Sequence, residues 1–325
     1  MNYLKTFLPH IFGNKKGESY VLPVDLQWDK LNFEEKLMFH TLQNDLEVFT
    51  DTLVISELTT HQIYHLLSFK DHLESAFLND LIGHYPVEWS LFKKAKDGVE
   101  LKPSEVQEIL NHKTFNLSIF TLFQKDRTKP GKLFIRRADG SFVHKTNGDL
   151  WSIKVLGISG RGLPFNHSNG TTPCGVYSID SVMPEANNNY EFGKFRRLIV
   201  NFLATSTNEE NIKQFLPLNH HRNNWWLPSV VARELGRSLL RIHGTGRVNK
   251  NPFSSYYPMI PSSGCLTVME NRAMGFRDVN EQRELLDTLM AALNLPATYE
   301  NESKIHGLLY VIEFDGRYQT LEFKD

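Results

Sequence analysis

Gln124-Lys125-Asp126-Arg127-Thr128-Lys129-Pro130-Gly131 is a polar run that ends in a turn signal, and the hydrophobic period of the chain changes across it. On its N-terminal side apolar residues recur at helical spacing. Asn32 before Phe33-Glu34-Glu35 predicts an N-cap with an acid three residues on, and Leu42, Leu46, Phe49 and Leu53 carry the stripe forward. A second helix is expected after Thr60, burying Ile63, Leu66, Leu67 and Phe77 and leaving Lys70, Asp71 and Glu74 outside. Pro86 starts a short helix through Trp89 and Phe92, and Lys102-Pro103-Ser104-Glu105 opens another that carries Val106, Ile109 and Leu110. On the C-terminal side the apolar runs are short and β-like, at 132–136, 152–158, 175–179, 198–202 and 239–243. Asp139-Gly140 signals a hairpin into Ser141-Phe142-Val143. A further helix is expected at 279–293, and a closing hairpin between 308–314 and 318–323 around Asp315-Gly316. The expected fold class is α+β: an N-terminal segment 1–27, a helical domain at 28–128 packed helix on helix, and a β-rich domain at 129–325.

Composition narrows the function. Lys plus Arg is 36 and Asp plus Glu is 37, a net charge of −1, which excludes a strongly basic nucleic-acid protein and argues against a polybasic membrane anchor. The longest uncharged stretch, 252–269, is full of Ser, Pro and Gly, so no membrane span is expected. The apolar residues of the N-terminus are interrupted by Lys5, Pro9 and His10, and no small-residue cleavage site follows, so no secretory signal is visible. Two cysteines in 325 residues exclude a disulfide framework and a Cys-rich zinc module. Each is therefore worth weighing as a nucleophile.

Cys265 lies in Pro261-Ser262-Ser263-Gly264-Cys265-Leu266. Gly264 permits a tight turn that exposes the next side chain, and the small hydroxyl residues leave room for a substrate. A thiol attacks as thiolate, so it needs a base or a positive field beside it. Successive amides of such a turn can face a developing oxyanion. The candidate base is His243 in Arg241-Ile242-His243-Gly244-Thr245-Gly246, where a strand-like run meets a glycine-rich loop. Read singly, Cys265 is as consistent with a buried structural cysteine and His243 with a histidine that caps a loop carbonyl.

Together, His-Gly-Thr followed by a loop and Ser-x-Gly-Cys resembles the catalytic domain of L,D-transpeptidases. A second block, Thr172-Pro173-Cys174-Gly175-Val176-Tyr177-Ser178-Ile179, resembles the upstream Thr-Pro-x-Gly strand of that family. The resemblance covers roughly 130–325. Ser263 stands where the family usually has a second histidine, and Leu266-Thr267 follows the cysteine where many members have an apolar residue and then Asn. The resemblance implies a peptidoglycan-modifying enzyme of the bacterial cell envelope or periplasm, acting on tetrapeptide stems. Cys265 would form a thioester and expel the terminal D-alanine. His243 would serve as base and then acid, oriented by the carbonyl of Gly244, and amides of Ser263, Gly264 and Cys265 would hold the oxyanion. An amine acceptor gives a crosslink and water gives L,D-carboxypeptidase trimming; a wall-binding protein without activity is the reading that the Ser263 departure leaves open. No metal or organic cofactor is implied, and carbapenem-type inhibitors are expected to acylate the cysteine.

Other features carry less. Cys174 occupies the variable position of Thr-Pro-x-Gly and reads as a packing residue. His61, His65 and His72 share a helical face but lack a carboxylate partner, so a solvated or partner-facing surface is favoured over metal. The run 220–226, His-His-Arg-Asn-Asn-Trp-Trp, suits either the lining of a sugar-peptide groove or a loop pinned by two indoles. Arg237, Arg241 and Arg247 flank His243, and any one could hold a substrate carboxylate. Gly157-Ile158-Ser159-Gly160-Arg161-Gly162 resembles a phosphate loop only superficially, lacking the Lys-Ser/Thr that would follow.

Overall fold

The structure, a computed structural model, describes residues 3–22, 26–273 and 277–323. Seven helices come first: α1 (Tyr3–Phe12), α2 (Phe33–Gln43), α3 (Leu46–Thr50), α4 (Thr60–Ser68), α5 (Ser75–His84), α6 (Pro86–Asp97) and α7 (Pro103–Asn111). The Asn32 cap forms as its sequence dictates: Asn32 Oδ1 accepts from the Glu35 amide at 2.8 Å, and Glu35 Oε2 accepts from the Asn32 amide at 3.1 Å. Ten strands follow: β1 (Ser118–Phe123), β2 (Gly131–Arg136), β3 (Ile153–Val155), β4 (Gly175–Val182), β5 (Leu198–Phe202), β6 (Leu240–His243), β7 (Leu266–Thr267), β8 (Glu270–Ala273), β9 (Arg277–Asn280) and β10 (His306–Glu313). Helices α8 (Asn189–Phe192), α9 (Glu210–Lys213) and α10 (Leu227–Glu234) lie between strands, and α11 (Glu281–Ala292) and α12 (Tyr299–Glu302) precede β10.

Eight strands form one sheet in the order β3-β2-β1-β10-β4-β5-β6-β7. The β1–β10 and β6–β7 pairs are parallel and the others antiparallel. The two ends of the sheet meet. Just beyond β3, the Leu156 amide donates to the Thr267 carbonyl at 2.9 Å, and the Thr267 amide returns a bond to Leu156 at 2.8 Å. The sheet is thus nearly closed, with Thr267 on the seam.

A hydrophobic cluster covers each face. Along β1, Phe120 and Leu122 join the helices' core with Phe39, Tyr64, Phe92 and Ile109. Their neighbours Ile119 and Phe123 turn the other way, to Tyr177, Ile179, Ile242, Leu266 and the α11 residues Leu285, Leu286 and Leu289. Helices, sheet and α11 therefore stack as layers.

The α+β class holds, but several expected elements differ. The boundary after 128 is not a break in the core, because β1 precedes it and lies in the middle of the sheet, and because the helical cluster runs into the sheet's outer face. The stripe to Leu53 is interrupted at Asn44, which takes a left-handed conformation (φ 59°) between α2 and α3. The helix after Thr60 ends at Ser68, so Phe77 belongs to α5 and His72 to a 3₁₀ turn. His65 is buried, not solvated, with its Nε2 3.1 Å from that of His61; burial pushes it down to about 3. The closing hairpin does not form: β10 already has β1 and β4 on its two edges, and 318–320 makes a 3₁₀ turn that lays Tyr318 and Phe323 over Phe134.

Candidate active site

Strand β6 ends on His243 and β7 begins directly after Cys265. Their parallel register sets Ile242 beside Leu266 and His243 beside Thr267. Leu240, Ile242 and Leu266 point into the inner core. By the two-residue alternation of strands, Arg241, His243, Cys265 and Thr267 fall on the opposite side. There His243, Cys265 and Thr267 line one cleft of about 740 Å³, with Ser262 and Ser263 of the turn before Cys265. The cleft opens beside the seam, where loops from both ends of the sheet converge.

His243 is buried, and its Nδ1 lies 2.5 Å from the carbonyl of Gly244. A carbonyl only accepts, so Nδ1 carries the proton and Nε2 holds the lone pair. Burial pushes the imidazole down to about 4, against the pull of the Gly244 carbonyl and with help from Arg197 and Arg241. The ring is therefore neutral at pH 7. Phe192 packs edge-on against it at 5.6 Å between centroids.

Cys265 is partly exposed. Burial pushes its thiol above the ordinary value, while the Arg241 backbone and the charges of Arg241, Arg237 and Arg197 pull it back. Its Sγ faces the Leu239 carbonyl at 3.9 Å. Cys265 and His243 thus share the cleft as a neutral thiol and a neutral imidazole, not as a resting ion pair.

The turn before Cys265 is built around Gly264, whose φ is +100°. A Cβ there would lie 2.4 Å from the Gly170 carbonyl and 2.7 Å from Arg237 Nη2, so only glycine fits. The carbonyls of the turn are held from behind. Thr172 Oγ1 donates to the Gly264 carbonyl at 2.8 Å, and Ser262 Oγ to the Cys265 carbonyl at 2.7 Å. Among the described residues, the amides of Ser263, Gly264 and Cys265 donate to no backbone carbonyl. Three successive free donors beside a thiol suit an anionic oxygen. Thr172 opens the Thr-Pro-Cys-Gly block, so the two motifs separated in sequence meet here in space.

Burial separates the flanking arginines. Arg237 is buried beneath the turn, donating to the carbonyls of Phe165, Gly170 and Thr171. Arg241 is held by Met183 Sδ and the Leu240 carbonyl. Arg247 lines the cleft but is paired with Glu191 at 2.9 Å. Cys174 lies elsewhere, with Arg127 Nη1 3.8 Å from its sulfur, and burial pushes its thiol far up. Trp225 and Trp226 are both buried, the indole of Trp226 donating to the His220 carbonyl at 3.2 Å, so 220–226 is a pinned loop. Among the cleft residues that the sequence candidates did not include, Arg161, in the glycine-rich 157–162 loop, donates to Ser263 Oγ at 2.7 Å. Its signal was a single cation among glycines, and only tertiary structure brings it to the turn.

No family model, no curated protein and no solved structure matches the chain.

Proposed function

We propose that the protein is a cysteine acyltransferase of the L,D-transpeptidase type, acting on tetrapeptide stems of peptidoglycan in the bacterial cell envelope. The observation that carries this reading is the contact between the two motif blocks: Thr172 Oγ1 ties down the turn before Cys265, and Cys265 shares one cleft with His243. In this reading Cys265 Sγ, which faces the Leu239 carbonyl at rest, moves to Nε2 of His243. The imidazole takes the thiol proton as sulfur attacks the acyl carbonyl, and the free amides of 263–265 receive the oxyanion. Collapse expels the D-alanine amine, which takes its proton from His243 and leaves a thioester. An acceptor amine then gives the crosslinked product.

The test is incubation with purified tetrapeptide muropeptides, followed by mass spectrometry. Crosslinked dimers with release of D-alanine support the reading, and Cys265→Ala should yield neither. Tripeptide products alone assign the protein to L,D-carboxypeptidase chemistry. Binding to the muropeptides without turnover assigns it to wall binding.

A further inference from the structure

The cleft is unusual in how it replaces the motif histidine. Ser263 occupies that position, and its hydroxyl accepts from Arg161. Arg161 Nε donates at 3.1 Å to the carbonyl of Lys5 in α1, so the guanidinium bridges the N-terminal helix and the nucleophile turn. The backbone beneath it is equally fixed. The Asn14 amide donates to the Arg161 carbonyl at 2.9 Å, and the Gly160 amide to the Ser262 carbonyl at 2.7 Å. A Cβ on Gly13 would come within 2.3 Å of the Arg161 carbonyl, so the chain after α1 is shaped to this loop.

Among the described residues the cleft's ionic side chains are Lys5, Arg161, Arg247 and Glu191, and the carboxylate among them is taken by Arg247. Among the described ion pairs none involves Arg161. Among the described residues two of its five N–H donors are engaged, which leaves the planar fork with an edge for an incoming acceptor.

We infer that Arg161 is a carboxylate-binding residue, and that the cleft takes a peptide bearing a carboxylate close to the carbonyl that Cys265 attacks. This rests on the acyltransferase reading for the identity of the peptide, but the binding site is defined by Arg161 alone. Ser263 then holds the guanidinium in place of acting as a second imidazole. Arg161 sets specificity and takes no part in proton transfer.

The test uses two alkylating agents with the same reactive carbon, iodoacetate and iodoacetamide, which differ in carboxylate and neutral amide. Rates are read at Cys265 in the full chain by peptide mass. Arg161→Gln should lower the iodoacetate-to-iodoacetamide ratio by about tenfold while the neutral reagent reacts at nearly the wild-type rate. Arg247→Gln, whose charge is already paired, should lower it by less than about threefold. An unchanged ratio in Arg161→Gln overturns the proposal. So does failure of iodoacetamide to reach Cys265 in the wild type, because the cleft is then closed to ligands. If Arg161→Gln loses the neutral reaction as well, Arg161→Lys decides: a ratio near wild type supports the site, and collapse of the ratio overturns it. Neither reagent needs turnover of a stem peptide. A chain that leaves muropeptides untouched yet keeps the Arg161-dependent ratio loses the enzyme reading and retains the carboxylate site.

Discussion

His243 is held neutral and in one tautomer, which leaves the Nε2 lone pair open at pH 7 while burial lowers its basicity. An imidazole at its ordinary value near 6.5 loses base strength through protonation just below neutrality. With burial pushing His243 to about 4, the neutral form persists through pH 5 and disappears only as pH falls through about 4. Acylation by a carbapenem, followed by intact mass, should accordingly lack an acid limb near 6.5 and show one near 4. His243→Ala should slow that acylation by ~100-fold or more at pH 7, and Cys265→Ala should take up no adduct. Equal rates in wild type and His243→Ala would remove His243 from proton transfer. Gly264→Ala forces a Cβ into the Gly170 carbonyl and a side chain into left-handed backbone. It should lower the melting temperature and cost about 2 kcal/mol or more, with Cys265 alkylation slowed in the folded fraction. A carboxyl at a distance from the thiol has its own signature. Glu34, buried on α2, accepts from Ser168 Oγ at 2.7 Å, and burial raises it to about 7. The folded state then binds this proton more tightly than the unfolded chain, so stability from this group is lost as pH rises from about 4.5 through 7. Glu34→Gln should therefore gain on the wild type in thermal unfolding as pH rises across that window, and a constant difference would refute the assignment.

Among the elements, β1 best marks where sequence reading stops. Ser118-Ile-Phe-Thr-Leu-Phe123 is buried at all six positions. A strand covered on both faces has neither the alternation of a half-exposed strand nor a helical stripe, so the polar run after it looked like the start of the sheet. Its β-branched and aromatic content was the available signal. Helix starts were legible at Asn32, Pro86 and Pro103, and at Thr60 to within one residue, since Thr59 is the cap there, because caps and N1 prolines act locally. Where those helices stop, and the break between α2 and α3, depend on packing and were not. The same division runs through the candidate site. His243-Gly244 and Gly264-Cys265 are sequence neighbours whose geometry is local. The grip of Thr172 on the turn, the burial of Arg237 and the approach of Arg161 come from distant segments, and no spacing announces them.

At the scale of the whole molecule, the helices and the sheet share a core. Phe120, Leu122, Phe134, Leu308, Tyr310 and Ile312 on the sheet's outer face pack into the same cluster as α2, α4, α6 and α7. A chain beginning at residue 129 would lose β1 from between β2 and β10 and expose that face. It should be recovered in the insoluble fraction, and a monomeric, cooperatively unfolding fragment would show that the sheet is self-sufficient. The parallel pairing of β1 with β10 extends from Ser118–Leu308 to Phe123–Glu313. Synthesis runs from the N-terminus, so β1 is made well before its central partner β10. Until residues 306–313 emerge, the nascent polypeptide has no completed sheet on which to mount the thiol and the imidazole, and the closure of so long a loop comes late. Cys265 and His243 thus gain the central strand of their supporting sheet only after both have themselves been made, because β10 follows them in the chain.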